Sequence, residues 1–153
     1  MRTIASRRSV SSIFSRKGGE GRLTKLYMNL PEFEQRALEK KIQFAEGEKP
    51  AIAYFESDGC WCLLTNYRVV WQDLISQHEV GIMDLRRVYH DMHVSVQRGQ
   101  LDRSLWRDLN IETTDGRKLT LQMEPGKPFL GFWSVLHWLC GWAEKRRQTG
   151  IAA

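Results

Sequence analysis

Residues 47–72 read GEKPAIAYFESDGCWCLLTNYRVVWQ, and their pattern decides the fold. Three apolar runs of strand length, AIAYFE, CWCLLT and RVVWQ, follow one another with turn residues between them. Their β-branched and aromatic side chains suit a pleated surface, and Ser57-Asp58-Gly59 supplies a tight hairpin between the first two runs. Thr65, Asn66 and Tyr67 bend the second run into the third. Further strands are expected over 77–82, 85–97, 107–113 and 118–123, with Thr114-Asp115-Gly116 as another hairpin turn and a polar loop over 99–104. Together they make about seven strands in an antiparallel meander.

Helical spacing flanks this β-rich block. Pro31 suits a first helical position, and Glu32 and Glu34 suit the positive end of a helix dipole. Phe33, Ala37, Leu38, Ile42 and Phe44 then recur at helical spacing, predicting a helix over 31–45 that Gly47 and Pro50 terminate. At the other end Pro125, Gly126 and Pro128 break the sheet, and FLGFWSVLHWLCGWAEKRR follows. On a helical wheel Phe129, Phe132, Trp133, Leu136, Leu139, Cys140 and Ala143 share one face, as expected for a helix laid over a sheet, with Trp133 as its plug. Val135, Trp138 and Trp142 project roughly opposite that face. The fold class is therefore α+β, mainly β: about seven bent strands closed by a C-terminal amphipathic helix, with an additional N-terminal helix.

A short helix, a meander and one long closing helix is the element order of pleckstrin-homology-like domains. GEKPAIAYF followed by LLTNYRVVW resembles the bacterial pleckstrin-homology and GRAM-like families, in which a Leu-Thr-x-x-Arg-hydrophobic pattern is matched here by Leu64, Thr65 and Arg68. Val80, Gly81, Ile82 and residues 84–88 fit the next strand and turn. The resemblance covers residues 46–147 and implies a binding module. For pleckstrin-homology domains it also implies phosphoinositide binding by basic residues near the first hairpin. Here that hairpin is Tyr54-Phe55-Glu56-Ser57-Asp58-Gly59, which is acidic and short, so that mode is not expected. Arg68 is expected to pair with Asp73 or another carboxylate.

The chain of 153 residues, 42% hydrophobic and 27% charged, is long enough for one domain with a sizeable core and too apolar for wholesale disorder. Its net charge of +5 is unevenly placed. Residues 1–25 hold Arg2, Arg7, Arg8, Arg16, Lys17, Arg22 and Lys25 against Glu20 alone, so the remainder is nearly neutral. With its Ser and Gly content this stretch reads as a flexible basic arm over 1–25, ahead of the helix at 31–45, the domain at 46–147 and a tail at 148–153. Three cysteines and no secretory leader point to a reducing, cytoplasmic compartment, and the Arg- and Ser-rich start also has transit-peptide composition.

No metal, cofactor or catalytic residue is expected. Cys60 and Cys62 would share a strand face, with His78 as the one further candidate, whereas His90 and His93 would face opposite ways. No phosphate loop, nucleophile elbow or metalloprotease pair occurs. The readings that remain are binding functions. Val135, Trp138 and Trp142 would anchor a protein partner or a second copy, unless the N-terminal helix covers them. Alternatively Arg7, Arg8, Arg16, Lys17, Arg22, Lys25, Lys145, Arg146 and Arg147 would meet an anionic membrane surface while a Trp enters its interface. Nonspecific nucleic-acid binding through the arm is a third reading. Arg86, Arg87, His90, His93 and Arg98 form a weaker second positive segment, expected to be the solvated side of a strand.

Overall fold

The computed structural model describes residues 5–91, 97–99 and 105–150. Two antiparallel sheets form its body. The first has five strands in sequential order: β1 (Thr24–Leu26), β2 (Pro50–Ser57), β3 (Cys60–Thr65), β4 (Arg68–Gln72) and β5 (Gln77–Gly81). The second has three: β6 (Leu85–Tyr89), β7 (Asp108–Thr113) and β8 (Lys118–Gln122). Among the described residues the sheets are accompanied by the α-helices α1 (Arg7–Lys17), α2 (Glu32–Lys41) and α3 (Lys127–Gln148).

Strands β2 to β8 are the seven expected from the sequence, and β1 is an eighth that it did not disclose. The expected strand over 85–97 ends at Tyr89. His93 and most of the expected loop over 99–104 lie outside the described residues. The expected helix over 31–45 is observed as Glu32–Lys41, with Pro31 just outside it as the N-cap.

Alternation along β2 assigns its side chains to two cores. Ile52 and Tyr54 point into the space between the sheets, whereas Ala53 and Phe55 point to the opposite face. The outer face is covered by α2, whose buried Leu38 and the following Ile42 pack with Trp61, Leu63 and Val70. Because both faces are covered, Trp61 to Thr65 are all buried, and β3 lacks the polar alternation of a half-exposed strand. Between the sheets, Phe129, Phe132, Leu136 and Leu139 of α3 meet Trp71, Leu109 and Ile111. Trp133, expected as the plug, is half-buried at the rim against Phe129 and Trp106, and the fully buried Phe129 and Phe132 take that role.

Over its described part the segment read as a basic arm carries α1 and β1. Ser6 caps α1 by accepting from the Ser9 amide at 3.3 Å, and Arg16 and Lys17 sit favourably at its C-terminal end. Val10, Ile13 and Phe14, spaced i, i+3, i+4, form one buried stripe. The chain then returns through Gly21, where the Glu124 carboxylate accepts from the Arg22 and Leu23 amides at 2.9 Å each and from the Thr24 hydroxyl at 2.9 Å. Thr24 to Leu26 pair with Tyr54 to Ile52 and lengthen the sheet by one strand.

Arg68 is a strut at the turn end of the same sheet. Its guanidinium donates twice to the buried Glu48 carboxylate, at 2.8 Å and 3.1 Å, and once to the Gln43 carbonyl at 2.9 Å. It also pairs with Glu79. The partner carboxylates are thus Glu48 and Glu79, and Asp73 pairs with His78 instead.

Candidate docking surface

Helix α1 lies on α3, and glycine makes the approach close. A Cβ at Gly18 would stand 2.1 Å from the Lys127 carbonyl oxygen and 2.5 Å from the Gly131 nitrogen. A Cβ at Gly131 would stand 2.9 Å from both the Phe14 ring and the Phe14 carbonyl oxygen. No side chain fits between these backbones, so Phe14, with no exposed surface, seats directly over Gly131. The outer face of α3 is therefore covered by the arm rather than by α2, which occupies the far side of the sheet.

That cover changes the anchors expected on α3. Val135 is completely buried in the core and cannot meet a partner. The wheel placed it opposite the core face, but α3 has packing neighbours on more than one side, so its buried arc is wider than a one-sided helix needs. Trp138 and Trp142 remain half-buried, packed against the core at the edges of that arc.

Trp138 is where the arm and the closing helix meet solvent together. A groove of about 630 Å³ runs between α1 and α3, with Ile13, Leu130, Trp133 and Trp138 as its apolar walls and Arg16, Lys17 and His137 among its polar ones. A second hollow of about 410 Å³ adjoins it, lined by Arg8, Ser9, Ser12 and again Ile13, Arg16 and Trp138. The indole edge thus lies among cations set along α1 by its helical repeat. Arg7, Arg8, Arg16 and Lys17 are all exposed, and α1 contains no acid. Arg7 and Arg8 stand at the positive end of the helix dipole, with no first-turn carboxylate to offset them.

The other expected cations do not join this cluster. Arg22 is exposed on the return loop, and Lys25 is half-buried in β1. Lys145 is exposed near the far end of α3, about 10 Å along the axis from Trp138 at the helical rise. Arg146 stacks its guanidinium over the Trp142 ring at 4.1 Å, and its Nε is buried with no hydrogen-bond partner among the described residues. Arg147 donates to the Met83 carbonyl at 2.7 Å and is partly structural. The sequence reading missed Leu130 and His137 as groove residues. Ile13 stood out there only as an apolar residue able to dock, its further signal being the i, i+3, i+4 stripe with Val10 and Phe14.

The remaining chemistry-bearing side chains are absorbed elsewhere. His90 is buried, its Nδ1 2.7 Å from the Asp108 carbonyl oxygen and its ring stacked on Trp106 at 4.2 Å. Burial raises the Cys62 thiol far above its ordinary value. Burial also raises Cys60, reinforced by a hydrogen bond with Glu56, and pushes Cys140 up to about 11. All three therefore stay protonated and weakly nucleophilic near neutral pH. Among the described residues no three His, Cys, Asp or Glu side chains converge as a metal site, and no helix is long and apolar enough to cross a membrane. The chain matches no family model, no curated protein and no solved structure.

Proposed function

We propose that the chain is a non-enzymatic binding module of pleckstrin-homology-like design that docks on an anionic membrane surface through the face where α1 lies on α3. Seven sequential strands split four and three, followed by a closing helix, support the likeness of design, with α1, β1 and α2 as additions to it. The observation that carries the docking reading is the indole of Trp138 held among Arg8, Arg16 and Lys17. Trp favours the membrane–water boundary, and each cation near an anionic surface contributes about 1 kcal/mol. Because the apolar stripe of α1 is spent inside the protein, the helix offers charge to the surface rather than a hydrophobic face.

A protein partner is the second reading, favoured by the concavity of the groove. A hollow with apolar walls and a cationic rim suits an apolar side chain on an acidic segment. The nucleic-acid reading has less behind it, since the cations lie along one short helix without interleaved exposed aromatic rings.

Co-sedimentation with phosphatidylcholine vesicles, with and without phosphatidylglycerol, tests the proposal at about 50 and about 500 mM salt, which span weak and strong screening. Binding should require the anionic lipid, weaken sharply at high salt and fall about 100-fold in the triple variant Arg8→Gln/Arg16→Gln/Lys17→Gln. Trp138→Ala should weaken it at both salts. Absence of vesicle binding at both salts sinks the membrane reading and leaves the protein partner. Binding unaffected by the triple variant would also sink it.

A further inference from the structure

Strand β6 carries an irregularity that brings two arginines to one side. Leu85 pairs with Thr113 and Arg87 with Glu112, so two steps along β6 meet one step along β7. In a regular strand Arg86 and Arg87 would face opposite ways. Here the run from Leu85 to Val88 is buried, exposed, exposed, buried, as a bulge at Arg86 produces. The C-terminal end of α3 lies alongside and adds Arg147, whose guanidinium donates to the Met83 carbonyl at 2.7 Å and reaches the Leu85 carbonyl at 3.5 Å. Arg86, Arg87 and Arg147, with Thr114, Glu144 and Gln148, line an open pocket of about 590 Å³.

The charge of this pocket is largely uncompensated. Among the described residues Glu144 is the one acid in its lining, and it accepts from Gln148 at 3.3 Å. Arg86 has no carboxylate within ion-pair distance among the described residues. Arg87 has Glu112 at 3.9 Å, and that carboxylate also has Lys118 at 4.0 Å. Three guanidinium groups against Glu144 and a Glu112 carboxylate shared with Lys118 leave a positive excess that favours a compact dianion. Planar guanidinium forks match tetrahedral oxyanions, and Arg147 is already oriented by the carbonyls it holds.

We propose that this pocket binds a phosphomonoester, either on a soluble molecule or as a lipid headgroup. A phosphomonoester becomes a dianion above about pH 6, which matches the charge excess, whereas a phosphodiester carries one negative charge. The site is separate from the groove beside Trp138 and does not rest on the membrane reading.

Calorimetric titration with glycerol 3-phosphate tests the soluble source. Vesicles containing phosphatidic acid, compared with phosphatidylglycerol at equal surface charge, test the lipid source. The variant Arg86→Gln/Arg87→Gln removes two exposed side chains and should fold, whereas Arg147 holds two carbonyls and is left intact. Saturable binding of glycerol 3-phosphate, or preference for phosphatidic acid, should fall at least about tenfold in that variant and persist in Lys40→Gln/Lys49→Gln, which removes two exposed cations outside both sites. Response to the soluble probe alone assigns a soluble ligand, and response to phosphatidic acid alone assigns a headgroup. Failure of both probes to saturate overturns the proposal. Equal loss in the two variants overturns it as well, because bulk charge would then explain the binding.

Discussion

Replacing Arg68 with alanine is expected to cost about 3–5 kcal/mol, read as a lower urea midpoint at unchanged slope. The Glu48 side chain has no exposed surface, and Arg68 is its ionic partner. Burial alone would raise the Glu48 pKa, but hydrogen bonds from Arg68, the Ala45 amide and the Thr65 hydroxyl, with the Arg68 charge, outweigh burial and hold it below its ordinary value. Removing the guanidinium reverses that balance and leaves a carboxylate buried without its counterion. Arg68→Lys should recover only part of the loss, because one ammonium cannot replace a fork that reaches both Glu48 oxygens and the Gln43 carbonyl. The sign of the pH dependence follows. A carboxylate with a depressed folded-state pKa stabilises the protein above its unfolded pKa, and that contribution is lost as pH falls through the folded value. Wild type should therefore lose stability on acidification below the ordinary carboxylate range, and the Arg68→Ala penalty should shrink there. A penalty under about 1 kcal/mol at neutral pH would mean that the pair behaves like an exposed one.

Phe14→Ala is expected to cost about 3–5 kcal/mol, because a fully buried ring over Gly131 leaves a cavity that the glycine backbone cannot fill. Part of the cost should appear as local release of α1 rather than global unfolding, since the helix has only Val10, Ile13 and Phe14 as buried residues. Gly131→Val is expected to produce the same release from the other side, by pushing a side chain into the space the Phe14 ring and carbonyl occupy. The two changes should be strongly non-additive, because each removes the same contact. Both variants should lose vesicle binding along with α1 docking, since the cations then no longer stand beside Trp138. Full retention of stability in Phe14→Ala would show that α1 contributes nothing to the fold.

The body of the sheet was legible because its signals are local. Ser57-Asp58-Gly59 and Thr114-Asp115-Gly116 specify hairpins from their own chemistry, and the runs between them alternate wherever one face is open. The arm was illegible for the opposite reason. Arg7, Arg8, Ser9, Ser11, Ser12, Ser15, Arg16 and Lys17 dominate its composition, and its three apolar residues are too few to hold an isolated helix. What stabilises α1 is a close approach to residues more than a hundred positions away, at Lys127 and Gly131. Val135, which the wheel left open, is buried in the core because α3 has packing neighbours on more than one side. Of the docking surface, Trp138 and the cations were visible as separate features, but their juxtaposition depends on α1 lying along α3. The convergence of Arg86 and Arg87 depends on a bulge that strict alternation cannot anticipate.

Hydrogen–deuterium exchange over residues 7–17 in the full chain tests the central claim most directly, that the basic segment is a built part of the fold and carries the docking face. Amides from Val10 to Lys17 should be protected in the free protein and exchange rapidly in Phe14→Ala. Exchange of those amides in wild type at the rate of an unstructured peptide would contradict the account, returning the segment to a flexible arm and leaving Trp138 without its fixed ring of cations.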